Sequence, residues 1–217
     1  MKNENIYIYK DWIKTEDYEF KILVLLGFLA DNSLAYRGTM KKMCEWLCVA
    51  DVPTNTKRIK QAIKGLEDKE YILYKKEGQT HHISITNKGL KSKRIIEVRK
   101  QWIEVIKNYN IAKDCNINRS WDTMTKVLVS LLDKLEEAKN DLDLTNGFIV
   151  TMEEIREDIN KSNQTISKAI DKLTECNFYD GLVITKNVER IKNANNEYRT
   201  IGTKISINYE FEKTKKQ

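Results

Sequence analysis

The chain has 217 residues, 41% of them hydrophobic, so one larger domain or two small ones with real cores both fit. Lys and Arg number 38 against 32 Asp and Glu, a formal +6 with a pI near 8.9, which suits a nucleic-acid partner and equally an ordinary lysine-rich soluble protein. The most apolar run, Ile22 to Ala30, is too short to span a bilayer, nothing reads as a signal peptide, and the four cysteines form neither a CxxC pair nor a Cys/His cluster. The expectation is therefore a cytoplasmic protein with no membrane span, no structural zinc and no cofactor.

Met1 to Lys10 begins polar and then alternates as Ile6-Tyr7-Ile8-Tyr9, a short strand or arm. From Glu16 to Ala30 a dense apolar block reads as a buried first helix, ending before Asp31-Asn32-Ser33. Thr39 is placed to cap a second helix with Met40, Met43, Cys44 and Leu47 inside, and Cys48 one turn after Cys44. Pro53, the only proline, falls in the connection Val49 to Thr54, where a stiff residue without an N–H fits. Asn55 to Leu66 is the third helix. Tyr71-Ile72-Leu73-Tyr74 and His82-Ile83-Ser84-Ile85-Thr86 flank a polar, Gly-bearing tip, which makes a hairpin. Leu90 to Tyr109 reads as a basic amphipathic helix with Ile95, Val98, Trp102, Val105 and Ile106 on one side. It can connect two halves or form a homodimer through 90–109. Asn110 to Arg119 is polar and aperiodic, which sets the expected domains at 1–113 and 114–217.

The second half repeats the scheme. Ser120 caps a helix carrying Trp121, Met124, Val127, Leu128, Leu131 and Leu135 inward, and Asn146-Gly147 precedes a short strand, Phe148-Ile149-Val150. Thr151-Met152-Glu153-Glu154 fits a capping box, opening a helix with Ile155 and Ile159. After Asn160-Lys161 comes Ser162 to Leu173, a second copy of the pattern in Asn55 to Leu66. Ile59, Ala62, Ile63 and Leu66 match Ile166, Ala169, Ile170 and Leu173, the spacing that puts four apolar side chains on one helical face. A long hairpin follows, from Leu182-Val183-Ile184 to Lys204-Ile205-Ser206-Ile207, and Ile-Ser-Ile closes both hairpins.

Three helices and a hairpin, repeated, resemble tandem winged-helix DNA-binding proteins over most of residues 16 to 209. Thr151 to Leu173 looks like the helix-turn-helix core of many bacterial, phage and plasmid regulators. The first half, ending Ile83-Ser-Ile-Thr-Asn-Lys-Gly89, is similar to MarR-type regulators, including tandem Sar-like members, and two such units also look like initiators of theta-replicating plasmids. The resemblance implies an α+β fold, mainly α with small β-hairpin wings, in two tandem winged helix-turn-helix domains. A longer connection between the second and third helices of the first half departs from the pattern.

A helix in the major groove needs cations for phosphates and forked or amide side chains for base edges. In the first copy Lys57, Arg58, Lys60 and Lys64 supply charge, Asn55, Thr56, Arg58 and Gln61 are candidate base readers, Arg58 for a guanine and Asn55 or Gln61 for an adenine, and Thr54 joins the candidate DNA-binding residues. In the second, Ser162, Asn163, Gln164, Thr165, Ser167, Lys168 and Lys172 take those places, and Asp171 lowers the charge. The hairpins add Lys75 and Lys76, then Lys186, Arg190, Lys192 and Arg199, suited to the backbone or a narrow minor groove. The expected partner is double-stranded DNA. The expected role is a transcriptional regulator, with a plasmid or phage replication initiator and a winged-helix protein-interaction adaptor as alternatives.

The plainer reading of Lys57 to Lys64 is a solvated helix face, and of the four tryptophans a core or interface role rather than base stacking. An enzyme is not expected. Adjacent His81 and His82 on a strand point to opposite faces and cannot share a nickase metal. No Gly-rich phosphate loop with Lys-Ser/Thr is present, and two neighbouring histidines build no Ser/His/Asp set.

Overall fold

A computed structural model describes residues 4–29, 34–109, 120–138, 148–178, 182–192 and 198–208. The chain is mixed α+β with small antiparallel sheets, and it divides into two compact units, Met1–Val129 and Ser130–Gln217. The division falls inside a helix rather than in the polar stretch before it, because the first turns of that helix pack into the N-terminal unit.

In the first unit β1 (Asn5–Tyr9) and a 3-10 turn (Lys10–Lys14) lead into α1 (Asp17–Phe28), opened by a capping box between Glu16 and Glu19. Next come β2 (Ala35–Gly38), α2 (Met40–Trp46) capped by Thr39, α3 (Pro53–Asp68), β3 (Ile72–Glu77) and β4 (Thr80–Ile85). The sheet order is β2-β4-β3, so the short strand between the first two helices closes the hairpin on its far edge. Pro53 is the first residue of α3 rather than part of the connection, a position where its missing N–H is harmless and its fixed φ suits the helix. Helix α2 ends at Trp46, so Cys48 lies beyond it in a left-handed conformation, φ +54°, and is half-buried while Cys44 is buried. Cys115 lies outside the described residues.

The helix expected over 90–109 divides into two elements: β5 (Ile95–Arg99), then α4 (Lys100–Asn108). Strand β5 pairs antiparallel with β1, Ile6 opposite Val98 and Ile8 opposite Ile96, and all four side chains are buried. The alternation Ile96-Glu97-Val98 fits a strand once the N-terminal arm supplies a partner, and tertiary pairing overrides the helical reading. Of the apolar positions considered for a homodimer, Val98, Trp102 and Ile106 are buried in this unit, Val105 is half-buried and Ile95 is exposed.

The core of the first unit also takes in the start of α5 (Trp121–Ala138). Trp121 is fully buried and donates its indole N–H to the Leu47 carbonyl, 2.8 Å away. The Lys107 ammonium of α4 lies 3.8 Å from the centroid of the Trp46 ring, which meets Phe28 and Trp121 edge-on. Lys21 and Asp122 form an ion pair at 3.1 Å, both nearly inaccessible, and Lys126 donates to the Thr15 carbonyl at 2.6 Å. Gly65 of α3 lets α1 come close, since a Cβ there would run into the Glu19 carboxylate that Lys69 holds at 2.5 Å.

The second unit follows the same order. After α5 come β6 (Phe148–Thr151), α6 (Met152–Ile159), α7 (Asn163–Thr174), β7 (Val183–Lys192) and β8 (Tyr198–Asn208), with sheet order β6-β8-β7. The capping box expected at Thr151 and Glu154 forms, and Asn160 turns the chain between α6 and α7 in the left-handed region, φ +49°. Ser130 of α5 donates to Asp158 of α6 at 2.7 Å, and Lys134 approaches the same carboxylate at 3.6 Å. No helix among the described residues is long and apolar enough to cross a membrane.

Candidate nucleic-acid interface

Helix α3 is held by a thin seam. Ile59, Ala62, Ile63 and Leu66 are buried as their spacing requires, and the rest of the helix surface is polar. Counting about 100° per residue from that seam, Lys57, Gln61 and Lys64 face most directly outward. Arg58 and Lys60 take the flanks, Arg58 over a cleft shared with Asp17 and Tyr18, Lys60 on the side of His81. All five are exposed, and none forms a hydrogen bond or ion pair within the described residues. Four of the five are cations, so this face of α3 is positively charged.

Asn55 is placed differently from its neighbours. Its amide nitrogen donates to the Ala50 carbonyl at 2.9 Å and its oxygen accepts from the Tyr18 hydroxyl at 3.1 Å, so the side chain ties the start of α3 to α1. Of the residues expected to read bases here, Arg58 and Gln61 remain exposed. Thr54 is exposed at the helix start, and Thr56 is half-buried.

Helix α7 has the same seam in Ile166, Ala169, Ile170 and Leu173. Ser162 caps it, accepting from the Thr165 N–H at 3.3 Å, with the two hydroxyls 2.9 Å apart. Asn163, Gln164 and Lys168 are exposed and form no side-chain hydrogen bond or ion pair among the described residues, and Lys172 is half-buried. Lys186, expected as a hairpin cation, instead reaches α7: its ammonium meets Asp171 at 2.6 Å and the Ser167 hydroxyl at 2.7 Å. The side chains of Arg190, Lys192 and Arg199 lie outside the described residues.

No family model, curated protein or solved structure matches this chain. The chemistry of the surface thus has to be read from its own residues.

On the β3–β4 hairpin Lys76 is exposed near the tip, and Lys75 pairs with Glu77 at 2.7 Å. Arg37 of β2 stands opposite His82, which stands opposite Lys75, so three basic side chains cross the sheet in one row. Arg37 is not marked out in the sequence, because β2 is only four residues long. The alternation Ala35-Tyr36-Arg37 just before the Thr39 cap was the available signal.

The two histidines point to opposite faces, as strand geometry requires: His81 is buried and His82 half-exposed. His81 stacks on Tyr74 and shares a 2.9 Å hydrogen bond with its hydroxyl. Burial, helped by Lys76 and Lys60, pushes the His81 imidazole below its usual 6.5. The unfolded chain then takes up a proton near 6.5 that the folded one refuses, so stability is full above that pH and falls as pH drops through it toward the depressed native value. Urea midpoints measured between about pH 8 and pH 5 are expected to decline in that window, and to flatten in His81→Phe.

Proposed function

We propose that this chain is a sequence-specific double-stranded-DNA-binding protein, two tandem winged helix-turn-helix units acting as a transcriptional regulator of bacterial, plasmid or phage origin. The observation that carries the reading is the run of unpartnered polar side chains on α3, Lys57, Arg58, Lys60, Gln61 and Lys64, on a helix whose opposite face is buried. The order helix, strand, helix, helix, hairpin, with sheet orders β2-β4-β3 and β6-β8-β7, supports the winged-helix assignment in both units. In that arrangement α3 and α7 enter the major groove while the hairpins lie against the backbone.

The test is a gel shift of the chain against fragments of the genome that encodes it, at about 0.15 M salt with excess unrelated duplex. One or a few fragments retained over the rest support the proposal. Equal weak retention of all of them, or none, overturns it.

A replication-initiator role draws on the presence of two reading helices in one chain. Retained fragments carrying several copies of one site next to each other favour it, and a single site over a promoter favours the regulator.

The Lys186 contact has a measurable consequence. With Asp171→Ala the ammonium is released toward the phosphates, and DNA affinity is expected to rise roughly 5- to 10-fold near 0.1 M salt, with the salt slope steeper by about 1. Fluorescence anisotropy at several salt concentrations checks both.

A further inference from the structure

With their buried seams superimposed, α3 and α7 present different chemistry at every outward position. Lys57 corresponds to Gln164, Gln61 to Lys168 and Lys64 to Asp171, and on the flanks Arg58 corresponds to Thr165 and Lys60 to Ser167. The hairpins extend the contrast. Ile72 of β3 and Ile184 of β7 each stand opposite the last isoleucine of an Ile-Ser-Ile, so Tyr74 and Lys186 hold equivalent places. Tyr74 there bonds its own hairpin through His81, while Lys186 crosses to Asp171 and Ser167 and neutralises α7.

Base edges distinguish these surfaces. Lys and Arg match the paired acceptors O6 and N7 of guanine, amides match the acceptor and donor of adenine, and a carboxylate accepts from the amine of cytosine and repels guanine's acceptors. Resting on the DNA-binding reading above, we propose that the duplex site is non-palindromic and in two unlike parts: a guanine-bearing part taken by Lys57 and Arg58 of α3, and an adenine-bearing part taken by Asn163 and Gln164 of α7. A palindrome asks for one reading surface presented twice by symmetry. A single chain with two unlike surfaces asks for two unlike sequences side by side. Comparing the two helices alone, α3 carries four exposed cations and α7 carries Lys168 and the half-buried Lys172, so α3 supplies the larger share of the salt-sensitive affinity of the helices.

The experiment is selection of binding sites by the full chain from a pool of random duplexes, repeated with Gln164→Lys and with Lys57→Gln. Both side chains are exposed with no internal bond, so both variants keep the fold. The wild type is expected to enrich one asymmetric site. Gln164→Lys should change an adenine preference to guanine by about tenfold or more in one part only, and Lys57→Gln should erase a guanine preference in the other. A palindromic consensus, or an asymmetric one that neither variant alters, overturns the two-part assignment while leaving DNA binding intact. Absence of any enriched sequence removes the DNA-binding reading itself.

Discussion

The Lys57→Ala/Lys60→Ala/Lys64→Ala variant is expected to bind its preferred duplex roughly 10²- to 10³-fold more weakly than the wild-type chain near 0.1 M salt. Each lysine that neutralises a phosphate releases close to one counterion, which near 0.1 M salt is worth about an order of magnitude in affinity. The losses at Lys60 and Lys64 multiply with that of the guanine contact of Lys57, and the slope of log affinity against log salt should become shallower by about 2. None of the three side chains forms a hydrogen bond or ion pair among the described residues, and alanine is a better helix former than lysine, so the variant should be at least as stable as the wild type. Unchanged binding by a folded triple variant would move the interface off α3. Arg58→Ala, by contrast, should relax base preference at one position while changing the salt slope by no more than about 1.

The second large effect concerns the core of the first unit. Lys21 and Asp122 are paired at 3.1 Å with both side chains almost wholly inaccessible, and Lys21 also lies about as close to the rings of Tyr18, 5.3 Å, and Trp121, 5.4 Å. Burial pushes the Asp122 carboxyl up against the attraction of Lys21, with Asp17 adding to the push, and taking two charges out of water is costly in any case. Either single substitution, Lys21→Met or Asp122→Leu, leaves the other charge buried and is expected to cost about 3–5 kcal/mol. The double variant should recover to near wild type or above it, because two packed apolar side chains replace two desolvated ions. All four tryptophans, Trp12, Trp46, Trp102 and Trp121, belong to this unit, so their fluorescence during urea unfolding reports the change directly. A double variant about as destabilised as either single one would mean that the pair stabilises the fold outright, and two single effects that simply add would mean that the two charges are not coupled.

Much of this was legible in the sequence wherever one chain segment carries its own signal. The seams of α3 and α7, the Thr39 cap, the Thr151–Glu154 capping box and both hairpins depend on local spacing, and each forms where the spacing places it. What was not legible depends on a distant partner. The stretch 95–99 is a strand only because Ile6 and Ile8 arrive from the N-terminal arm to cover Ile96 and Val98. The sequence offers Asn55 as a base reader on the same terms as Arg58 and Gln61, and only the approach of Tyr18 and the Ala50 carbonyl shows that its amide is already engaged. Lys186 likewise counted as a free cation until the register of β7 brought it over Asp171. Charge runs are readable from a sequence, whereas whether each charge is spare is a property of the fold.

Equilibrium binding of the wild-type chain to its retained fragment, measured from about 0.05 to 0.3 M salt, tests the central claim most directly. With roughly six phosphates engaged, log affinity should fall with log salt at a slope near −5. Binding that ignores salt, or no binding at the lowest salt, would contradict a surface built to meet a duplex.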